Sequence, residues 1–308
     1  MKLRIGVTVV LCLLLAACAP AGVAAPPFVD FSQRQPVPPT GIGEVKPLRV
    51  AVAAILSPEG TVESYSALAD YLSSKLGRPV EIVQRRTYQE INDLLQAGDI
   101  DVGFVCTSAY VSGHDQFGLR LLAVPEISGE AVYYSTLIVA ADSVATSMAD
   151  LEGATFVFTD PISTTGRIYP TYLVNLLGST PEAFFGRTFF TYSHDRAIKA
   201  VAEGVADAAG VDSLVLDNAL ARDPALASKI RVIHQSPAFT NPPVVVSPNV
   251  SPRSIAELEN ILFSISTDPA ASEVLSSLGV DSFAPVDDAA YDGVRDVIDE
   301  VARHVTDS

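Results

Sequence analysis

The sequence has 308 residues, of which 48% are hydrophobic and 18% are charged, so it can form one large or two medium domains with an apolar core. Asp and Glu number 36 against 20 Lys and Arg, which gives a net charge of −16. Such a charge repels nucleic acids and anionic membrane surfaces, so we expect no nucleic-acid partner. The histidines are scattered, and the sequence predicts neither a metal site nor a cofactor.

The first segment, residues 1–17, has the pattern of a signal peptide. Lys2 and Arg4 precede the apolar run Ile5–Ala17, which is short for a membrane-spanning helix. The run ends in the tetrad LAAC, which resembles the cleavage box of bacterial lipoproteins. That resemblance implies that Cys18 becomes the lipidated first residue of the mature protein and anchors it to the cell membrane. The alternative is an ordinary secretory signal that is cut nearby.

The next segment, residues 18–47, is rich in proline and has little periodicity, which predicts a semi-extended tether. Of the three cysteines, Cys12 would leave with the signal and Cys18 would carry the lipid. Cys106 is then the one remaining thiol, so we expect no disulfide within the mature chain. We expect Cys106 to be a small buried residue.

Strand and helix patterns alternate from residue 48 onward. Apolar strands are predicted at Leu48–Ile55, Val80–Gln84 and Ile100–Cys106, with helices between them at Val62–Leu76 and Tyr88–Ala97. Nearly continuous apolar strands are typical of a parallel sheet that is covered on both faces. The alternation predicts βαβ units and a doubly wound α/β fold.

The pattern continues into a second set of elements. A strand at Leu119–Pro125 is followed by a long one at Tyr133–Asp142, which could cross between domains. A strand at Thr155–Thr159 restarts the alternation, and this restart predicts a second domain. The later predicted elements are a short helix at Met148–Glu152, strands at Phe189–Tyr192, within Ala206–Leu216, at Lys229–His234 and at Val244–Ser247, and helices at Asp195–Glu203, Ile255–Ser266, Ala270–Leu278 and Tyr291–His304.

These elements predict two α/β lobes, the first of which is built from both ends of the chain. We expect residues 48–140 and 236–308 to form the first lobe and residues 141–235 to form the second. Ligands of such sheets bind beyond the carboxyl ends of the strands. We therefore expect the ligand in the cleft between the lobes, which would close about a hinge near Ala140 and Gln235.

One stretch, Thr159–Leu177, combines a strand end with an anion-binding pattern. Three hydroxyl residues, Ser163, Thr164 and Thr165, precede Gly166 and an apolar run at helical spacing. Hydroxyls cap helices, and the unpaired N–H groups of a first turn attract anions. The alternative is an ordinary capped helix after a turn. Pro170 lies inside the run, so we expect the helix to start late or to bend there.

Several segments together resemble the substrate-binding proteins of bacterial ABC importers, in the phosphonate, phosphite and phosphate-binding family. They are SPEGTVESYSALADYLSSKLGRPV, DVGFVCTSAYV, DPISTTGRIYP, YSHDRAIKAVAEGVADAAGVDS and NPPVVVSPNVSP. The resemblance covers about Leu48 to Thr306. It implies a two-lobed fold of the type II periplasmic-binding-protein class, a small phosphorus oxyanion as ligand, and an ABC permease with its ATPase as partner. It also implies an extracytoplasmic, monomeric protein.

By motif match, the resemblance implies a ligand site made of the residues Ser163, Thr164, Thr165, His194, Asp212 and Tyr110. Each has an alternative role: the hydroxyls as helix caps, His194 as a buried imidazole, Asp212 as the partner of a local backbone N–H, and Tyr110 as a core residue. Family members often place an aromatic residue in the loop after the first strand, where this chain has Leu56 and Ser57.

The sequence leaves two other functions open. A lipid-anchored receptor that signals to a membrane sensor would have the same features as a transport protein. A hydrolase would need a nucleophile such as Ser163 with His194 as its base, but the chain has neither a G-x-S-x-G elbow nor a P-loop. We therefore expect a binding protein without catalytic residues.

Overall fold

The computed structural model of this protein describes residues 46–306. The predicted signal peptide, Cys18 and the tether up to residue 45 lie outside the described residues. The strands are β1 (Leu48–Val52), β2 (Val80–Gln84), β3 (Val102–Phe104), β4 (Arg120–Glu126), β5 (Val132–Tyr133), β6 (Ser135–Ala140), β7 (Thr155–Phe158), β8 (Arg187–Phe190), β9 (Ala208–Asp212), β10 (Ile230–Gln235), β11 (Phe239–Thr240), β12 (Val244–Val246) and β13 (Ser282–Ala284).

Helices follow most of the strands. The α-helices are α1 (Pro58–Leu76), α2 (Tyr88–Ala97), α3 (Thr107–Phe117), α4 (Tyr169–Leu176), α5 (Pro181–Phe184), α6 (His194–Ala202), α7 (Ser213–Arg222), α8 (Pro252–Ser264), α9 (Ser272–Leu278) and α10 (Asp292–Thr306). A π-helix, Thr164–Ile168, leads directly into α4. Short 3₁₀ turns are Ala149–Leu151, Pro224–Ser228, Ile265–Thr267, Pro269–Ala271 and Asp288–Tyr291.

The strands form two large sheets. The first sheet has the order β13-β4-β12-β3-β1-β2, and the second has the order β10-β6-β9-β7-β8. β1 is parallel to β2 and β3, and β7 is parallel to β8 and β9. β12 is antiparallel to β3 and β4, and β6 is antiparallel to β9 and β10. A two-stranded ribbon of β5 and β11 is separate from both sheets.

Both faces of each sheet are buried, as the apolar strands predict. In the second sheet, Val157 packs in a cluster with α6, while its neighbours Phe156 and Phe158 pack on the opposite face with Phe184 and Phe185. This alternation follows from the two-residue period of a strand. Both sheets are covered by helices, so their polar groups are accessible mainly at the strand ends.

One predicted lobe boundary differs from the structure. We expected residues 48–140 in the first lobe, but β6 pairs along residues 135–140 with β9 and β10 of the second sheet. The predicted strand Tyr133–Asp142 is interrupted at Tyr134, because Val132 and Tyr133 instead pair with the ribbon partner β11. An uninterrupted apolar run cannot indicate such a change of partner.

The predicted hinge position shifts for the same reason. Ala140 pairs with Ile230, and Gln235 pairs with Thr136, so both lie inside the second sheet. The chain passes from the first sheet to the second between residues 127 and 134, and it returns between residues 236 and 243. Any hinge between the sheets therefore belongs to these two crossing segments.

Local predictions vary in accuracy. The bounds of β2 and α2 agree with those predicted, whereas α3 and α7 were not predicted. The prediction that Pro170 delays a regular helix is confirmed, since a π-helix precedes α4 and Pro170 occupies its first turn. Cys106 is free and only 5% exposed, which confirms that it is buried.

Candidate functional site

The hydroxyl stretch after β7 is fully buried and closely packed. Ser163 caps the π-helix, since its hydroxyl oxygen accepts from the N–H of Gly166 at 3.1 Å. Only glycine fits at position 166, because a Cβ atom there would lie 1.8 Å from the hydroxyl oxygen of Thr159. A Cβ at Gly210 of β9 would likewise lie 2.9 Å from the carbonyl oxygen of Thr165. The hydroxyl stretch is thus held against the second sheet at two points.

The hydroxyl of Thr164 connects the two sheets. It accepts from the backbone N–H of Ser108 at 3.0 Å and shares a hydrogen bond with the hydroxyl of Thr107 at 2.7 Å. Thr107 and Ser108 begin α3, which follows β3 of the first sheet. Thr107 in turn bonds the hydroxyl of Tyr133 at 2.7 Å. The Thr164 side chain is therefore occupied by protein groups.

Unbonded donors remain at the start of the same helix. Within residues 46–306, the backbone N–H groups of Thr164 and Thr165 have no hydrogen-bond acceptor. Both residues are at most 1% exposed. Helix N-termini with free N–H groups favour anions, because the helix dipole adds to the hydrogen bonds. These groups can therefore hold an anionic oxygen.

His194 begins α6 and is held in one tautomer. Its ring atom Nδ1 accepts from the backbone N–H of Asp212 at 3.0 Å. Burial, opposed weakly by the charge of Asp195, lowers the pKa of His194 from 6.5 to about 3. The ring is therefore neutral near pH 7, and its proton lies on Nε2. His194 is a neutral hydrogen-bond donor at this site.

Asp212 ends β9 and caps α7. Its Oδ1 atom accepts from the N–H groups of Leu214 at 2.8 Å and Val215 at 3.4 Å. The local pairing that the sequence left as an alternative is thus present. Burial nevertheless raises the pKa of Asp212 from 3.8 to about 7, since these bonds only partly offset desolvation. The carboxyl can accordingly accept or donate a hydrogen bond close to neutral pH.

Two tyrosines that the sequence analysis missed complete this group of residues. The hydroxyl of Tyr88 is buried and has no hydrogen-bond partner among the described residues. Burial raises the pKa of Tyr88 well above 10, with further contributions from its neighbours Cys106, Asp160 and Asp212. The pKa of Tyr133 is raised by burial and by the same Cys106 and Asp212. We call Tyr88, Tyr133, Thr164, Thr165, His194 and Asp212 the intersheet site.

Direct hydrogen bonds hold the two sheets together around this site. The N–H of Ser57, after β1, donates to the carboxylate of Asp195 at 3.1 Å. The N–H of Tyr88 donates to the carboxylate of Asp160 at 3.1 Å. These bonds join loops of the first sheet to loops of the second, so the structure has a closed cleft. Buried polar groups inside it, such as the Tyr88 hydroxyl, are costly unless a partner is supplied.

Tyr110 does not join the intersheet site. It lies on α3 one turn after Thr107, and its hydroxyl donates to the carboxylate of Asp288 at 2.6 Å. Its ring packs edge-on against Tyr291, with centroids 4.8 Å apart. The sequence analysis did not recognise this segment as a helix, and a helical turn directs Tyr110 away from the start of α3. The core role left open by the sequence is the one observed.

A cavity of about 410 Å³ adjoins the site on one side. Asp212 lines it together with apolar residues of both sheets, among them Leu56, Val105 and Val215. Leu56, in the loop after the first strand, thus borders this space. Among the described residues, no group of three or more His, Cys, Asp or Glu is placed to hold a metal ion.

Sequence comparison assigns the chain to a family. A model of the family described as "ABC transporter, phosphonate, periplasmic substrate-binding protein" matches residues 50–291. The "Phosphate-import protein PhnD" of Mycolicibacterium smegmatis is 26% identical over 257 residues, which cover 77% of this chain and 80% of that protein.

Solved structures share the fold. A binding protein component of an ABC phosphonate transporter from Pseudomonas aeruginosa matches with a TM-score of 0.78 at 22% identity, covering 83% of this chain and 87% of that chain. PhnD1 from Prochlorococcus marinus, in complex with methylphosphonate, matches with a TM-score of 0.75 at 18% identity, covering 83% of this chain and 98% of that chain. The predicted fold, an α/β periplasmic-binding-protein fold of type II, is thereby confirmed.

The described part of the chain contains no helix long and apolar enough to cross a membrane. The family match extends over most of the chain, from β1 to the segment just before α10. The chain belongs to the family of periplasmic substrate-binding proteins of phosphonate ABC transporters.

Proposed function

We propose that this protein captures a small phosphorus oxyanion in the intersheet site and delivers it to an ABC permease with its ATPase. The candidate ligands are phosphate, phosphite and small phosphonates. Two relatives support this class, since one is a phosphate-import protein and the other was solved with methylphosphonate. The family match supports the transport role.

The observation that carries the proposal is the mixture of donors with one buried carboxyl. Thr164, Thr165 and His194 offer donors to anionic oxygens. In this proposal Asp212, which has a pKa of about 7, contacts the same ligand. An ionised carboxylate repels an anion unless the ligand supplies a proton. Phosphate and phosphonate monoanions carry a hydroxyl, and sulfate does not, so Asp212 would select phosphorus oxyanions.

The proposed role is binding without turnover. In a catalytic triad a carboxylate accepts from Nδ1–H of the histidine, and this holds the base in the tautomer that can take a proton at Nε2. Here Nδ1 of His194 is itself an acceptor, from the backbone N–H of Asp212. Nε2 therefore carries the proton and cannot serve as the base for Ser163. Incubation with phosphate esters should release no product; release that stops in Ser163→Ala would contradict this.

A ligand screen tests the proposed class. Phosphate, phosphite, methylphosphonate, 2-aminoethylphosphonate and sulfate would be compared by thermal shift and then by isothermal titration. A ligand that binds only the folded state raises the melting temperature, and at equal concentration a tighter ligand raises it more. We expect a shift with at least one phosphorus oxyanion and none with equal sulfate at pH 8. A larger shift with sulfate than with every phosphorus compound would refute the assignment.

We also propose that the sheets open and close about the crossing segments 127–134 and 236–243. The closed cleft leaves every residue of the intersheet site at most 4% exposed, so a ligand needs an opening motion to enter. Small-angle scattering with and without the best ligand from the screen is the measurement. We expect a smaller radius of gyration with ligand. Superimposable curves would contradict the hinge.

The membrane anchor is the remaining part of the proposal. We propose that Cys18 carries lipid and holds a monomeric receptor at the outer face of the cell membrane. The support is the LAAC tetrad after an apolar run, followed by the proline-rich segment. Mass spectrometry of the protein from its native host should find a lipidated Cys18 at the N-terminus, and Cys18→Ala should abolish anchoring. An unmodified N-terminus at another residue would disprove it.

A further inference from the structure

A second cavity, of about 580 Å³, lies between the loop after β2 and the loop after β8. Arg85 and Arg86 line it from the first sheet, and Arg196 lines it from α6 beside the second sheet. The chain as a whole carries 36 acidic and 20 basic residues. The surroundings of this cavity are therefore locally positive, whereas the protein as a whole has a net charge of −16.

These arginines are not used in ion pairs. Among the described side chains, no carboxylate forms an ion pair with Arg85, Arg86 or Arg196. Two acids close in sequence accept from backbone N–H groups: Asp195 from Ser57 and Arg196, and Glu90 from Thr87. The pKa of Glu90 is lowered chiefly by its bonds from Thr87 and further by the charge of Arg85, so Arg85 is partly compensated. Arg86 and Arg196 are the cations of this cavity that have no carboxylate partner among the described side chains. All three arginines are exposed, and they line the cavity from both sheets.

Arg86 and Tyr192 hold one wall of this cavity in a fixed arrangement. The guanidinium of Arg86 lies 4.1 Å from the ring centroid of Tyr192, which is a cation–π contact between the two sheets. Tyr192 has a φ angle of 57°, a left-handed conformation that residues with a Cβ seldom adopt. Its N–H donates to the carbonyl of Thr159 at 2.7 Å. Strained residues of this kind collect at binding sites.

We propose that this cavity is a second anion subsite, which takes a carboxylate or a further phosphoryl group. The source is either a second anionic group on the same ligand or a separate small anion. Guanidinium groups suit such oxyanions, since their planar N–H groups can bond two oxygens at once. An anion placed between Arg86 and Arg196 would be attracted to a cation from each sheet. It would therefore favour the closed cleft.

The position of the cavity connects it with the proposed ligand site. Both cavities are lined by Val52, Leu56 and Thr61, so the loop after β1 borders each of them. The inference rests on the proposed function in that the first anionic group is taken to be the phosphorus oxyanion. The ligand class that follows is a phosphonate with a second acidic group, such as a phosphonocarboxylate, or a diphosphate.

The test compares ligands that have one or two anionic groups. Methylphosphonate, phosphonoacetate and 3-phosphonopropionate would be titrated into the wild-type protein, Arg86→Gln and Arg196→Gln. The matched control is Arg253→Gln, which removes the same charge from an exposed position on α8. A parallel titration of methylphosphonate in the presence of acetate identifies a separate anion as the source.

We expect one of the phosphonocarboxylates to bind the wild-type protein at least about tenfold more tightly than methylphosphonate, the gain of one hydrogen-bonded ion pair. In Arg86→Gln and Arg196→Gln the phosphonocarboxylate should bind no more tightly than methylphosphonate does in the same variant, while Arg253→Gln retains the gain. If acetate strengthens methylphosphonate binding in the wild type but not in the two variants, the source is a separate anion. Arginine variants that weaken every ligand equally, or none, would overturn the second subsite.

The two proposals fail in different ways. If the wild-type protein binds no phosphorus oxyanion with one anionic group, the proposed function fails. In that case the melting-temperature shift with pyrophosphate tests whether the second anion subsite exists. A shift that is lost in both Arg86→Gln and Arg196→Gln supports the subsite, and a shift that persists in both, or its absence in the wild type, overturns it.

Discussion

Replacing Asp212 by Asn tests how an acidic protein can select a phosphorus oxyanion over sulfate. Asp212 is 4% exposed, and burial raises its pKa to about 7. Asparagine has the same shape, and its carbonyl oxygen can accept the same N–H groups of Leu214 and Val215. The substitution therefore removes the titration and the negative charge, and it leaves the cap of α7 in place.

The expected magnitude follows from the pKa. Sulfate has no proton to donate, so it should bind the form of the protein in which Asp212 is protonated. Above about pH 7 that form declines about tenfold per pH unit, which corresponds to about 1.4 kcal/mol per unit. Inorganic phosphate keeps a hydroxyl across this range and can donate it to the ionised carboxylate. Phosphate should therefore retain affinity where sulfate loses it.

No other group of the intersheet site should titrate in this window. The pKa of His194 is about 3, and the pKa values of Tyr88 and Tyr133 lie well above 10. Sulfate itself does not change charge. A decline of sulfate affinity with rising pH would thus report on Asp212.

Isothermal titration with phosphate and sulfate at pH 6, 7, 8 and 9 measures the effect. In Asp212→Asn, we expect phosphate binding at pH 8 to weaken by about 5- to 150-fold, the loss of one charged hydrogen bond. The pH dependence of sulfate binding should disappear in this variant. Asp70→Asn, an exposed change of the same charge on α1, is the control. If sulfate affinity of the wild-type protein is constant from pH 6 to 9, Asp212 is not the selective group.

Two further substitutions test the packing and the titration of the site. Gly166→Ala places a Cβ 1.8 Å from the hydroxyl oxygen of Thr159 and should displace the donors, so ligand binding should be lost at a temperature where the protein is still folded; Gly293→Ala in α10, with nothing within 4 Å, should bind normally. Unchanged binding in Gly166→Ala would show that the donors do not need this packing. When the pH falls from 7 to 4, protonation of Asp212 should increase the free energy of unfolding, because its folded pKa of about 7 exceeds the ordinary value of 3.8. Over the same range His194 should decrease the free energy of unfolding, because its folded pKa of about 3 lies below the ordinary value of 6.5. Urea unfolding measures the free energy of unfolding across this range. It should fall more steeply with decreasing pH in Asp212→Asn than in the wild type, and less steeply in His194→Gln. The differences should be a few kcal/mol, since each pKa unit corresponds to about 1.4 kcal/mol. Parallel curves for all three proteins would contradict the buried titration.

Local patterns in the sequence determined much of the fold. The amphipathic run Tyr88–Ala97 and the left-handed glycine that follows it, Gly98, define α2 without tertiary information. The hydroxyl stretch, His194 and Asp212 each follow a predicted strand, and carboxyl ends of strands gather at one edge of an α/β sheet. That rule is sufficient to place them near one cleft.

Other features were decided only by tertiary packing. Tyr88 follows the edge strand β2, and the sequence of the loop after β2 does not indicate a binding site. The Tyr88 hydroxyl lies in the intersheet site because the two sheets close on each other. The sequence places Arg86 and Arg196 in different lobes, and their meeting across one cavity depends on the same closure.

The sequence by itself determined the α/β class, the two sets of βα units, and the residues that carry the family resemblance. Hydrophobic periodicity predicts which face of a helix or strand is buried, but it does not identify the element that packs against that face. For that reason the apolar run at Tyr133–Asp142 could not reveal that the strand changes from the ribbon to the second sheet. Tertiary structure alone decided that Tyr110 bonds Asp288 in the first-sheet half, while Thr164 joins the two sheets through Ser108.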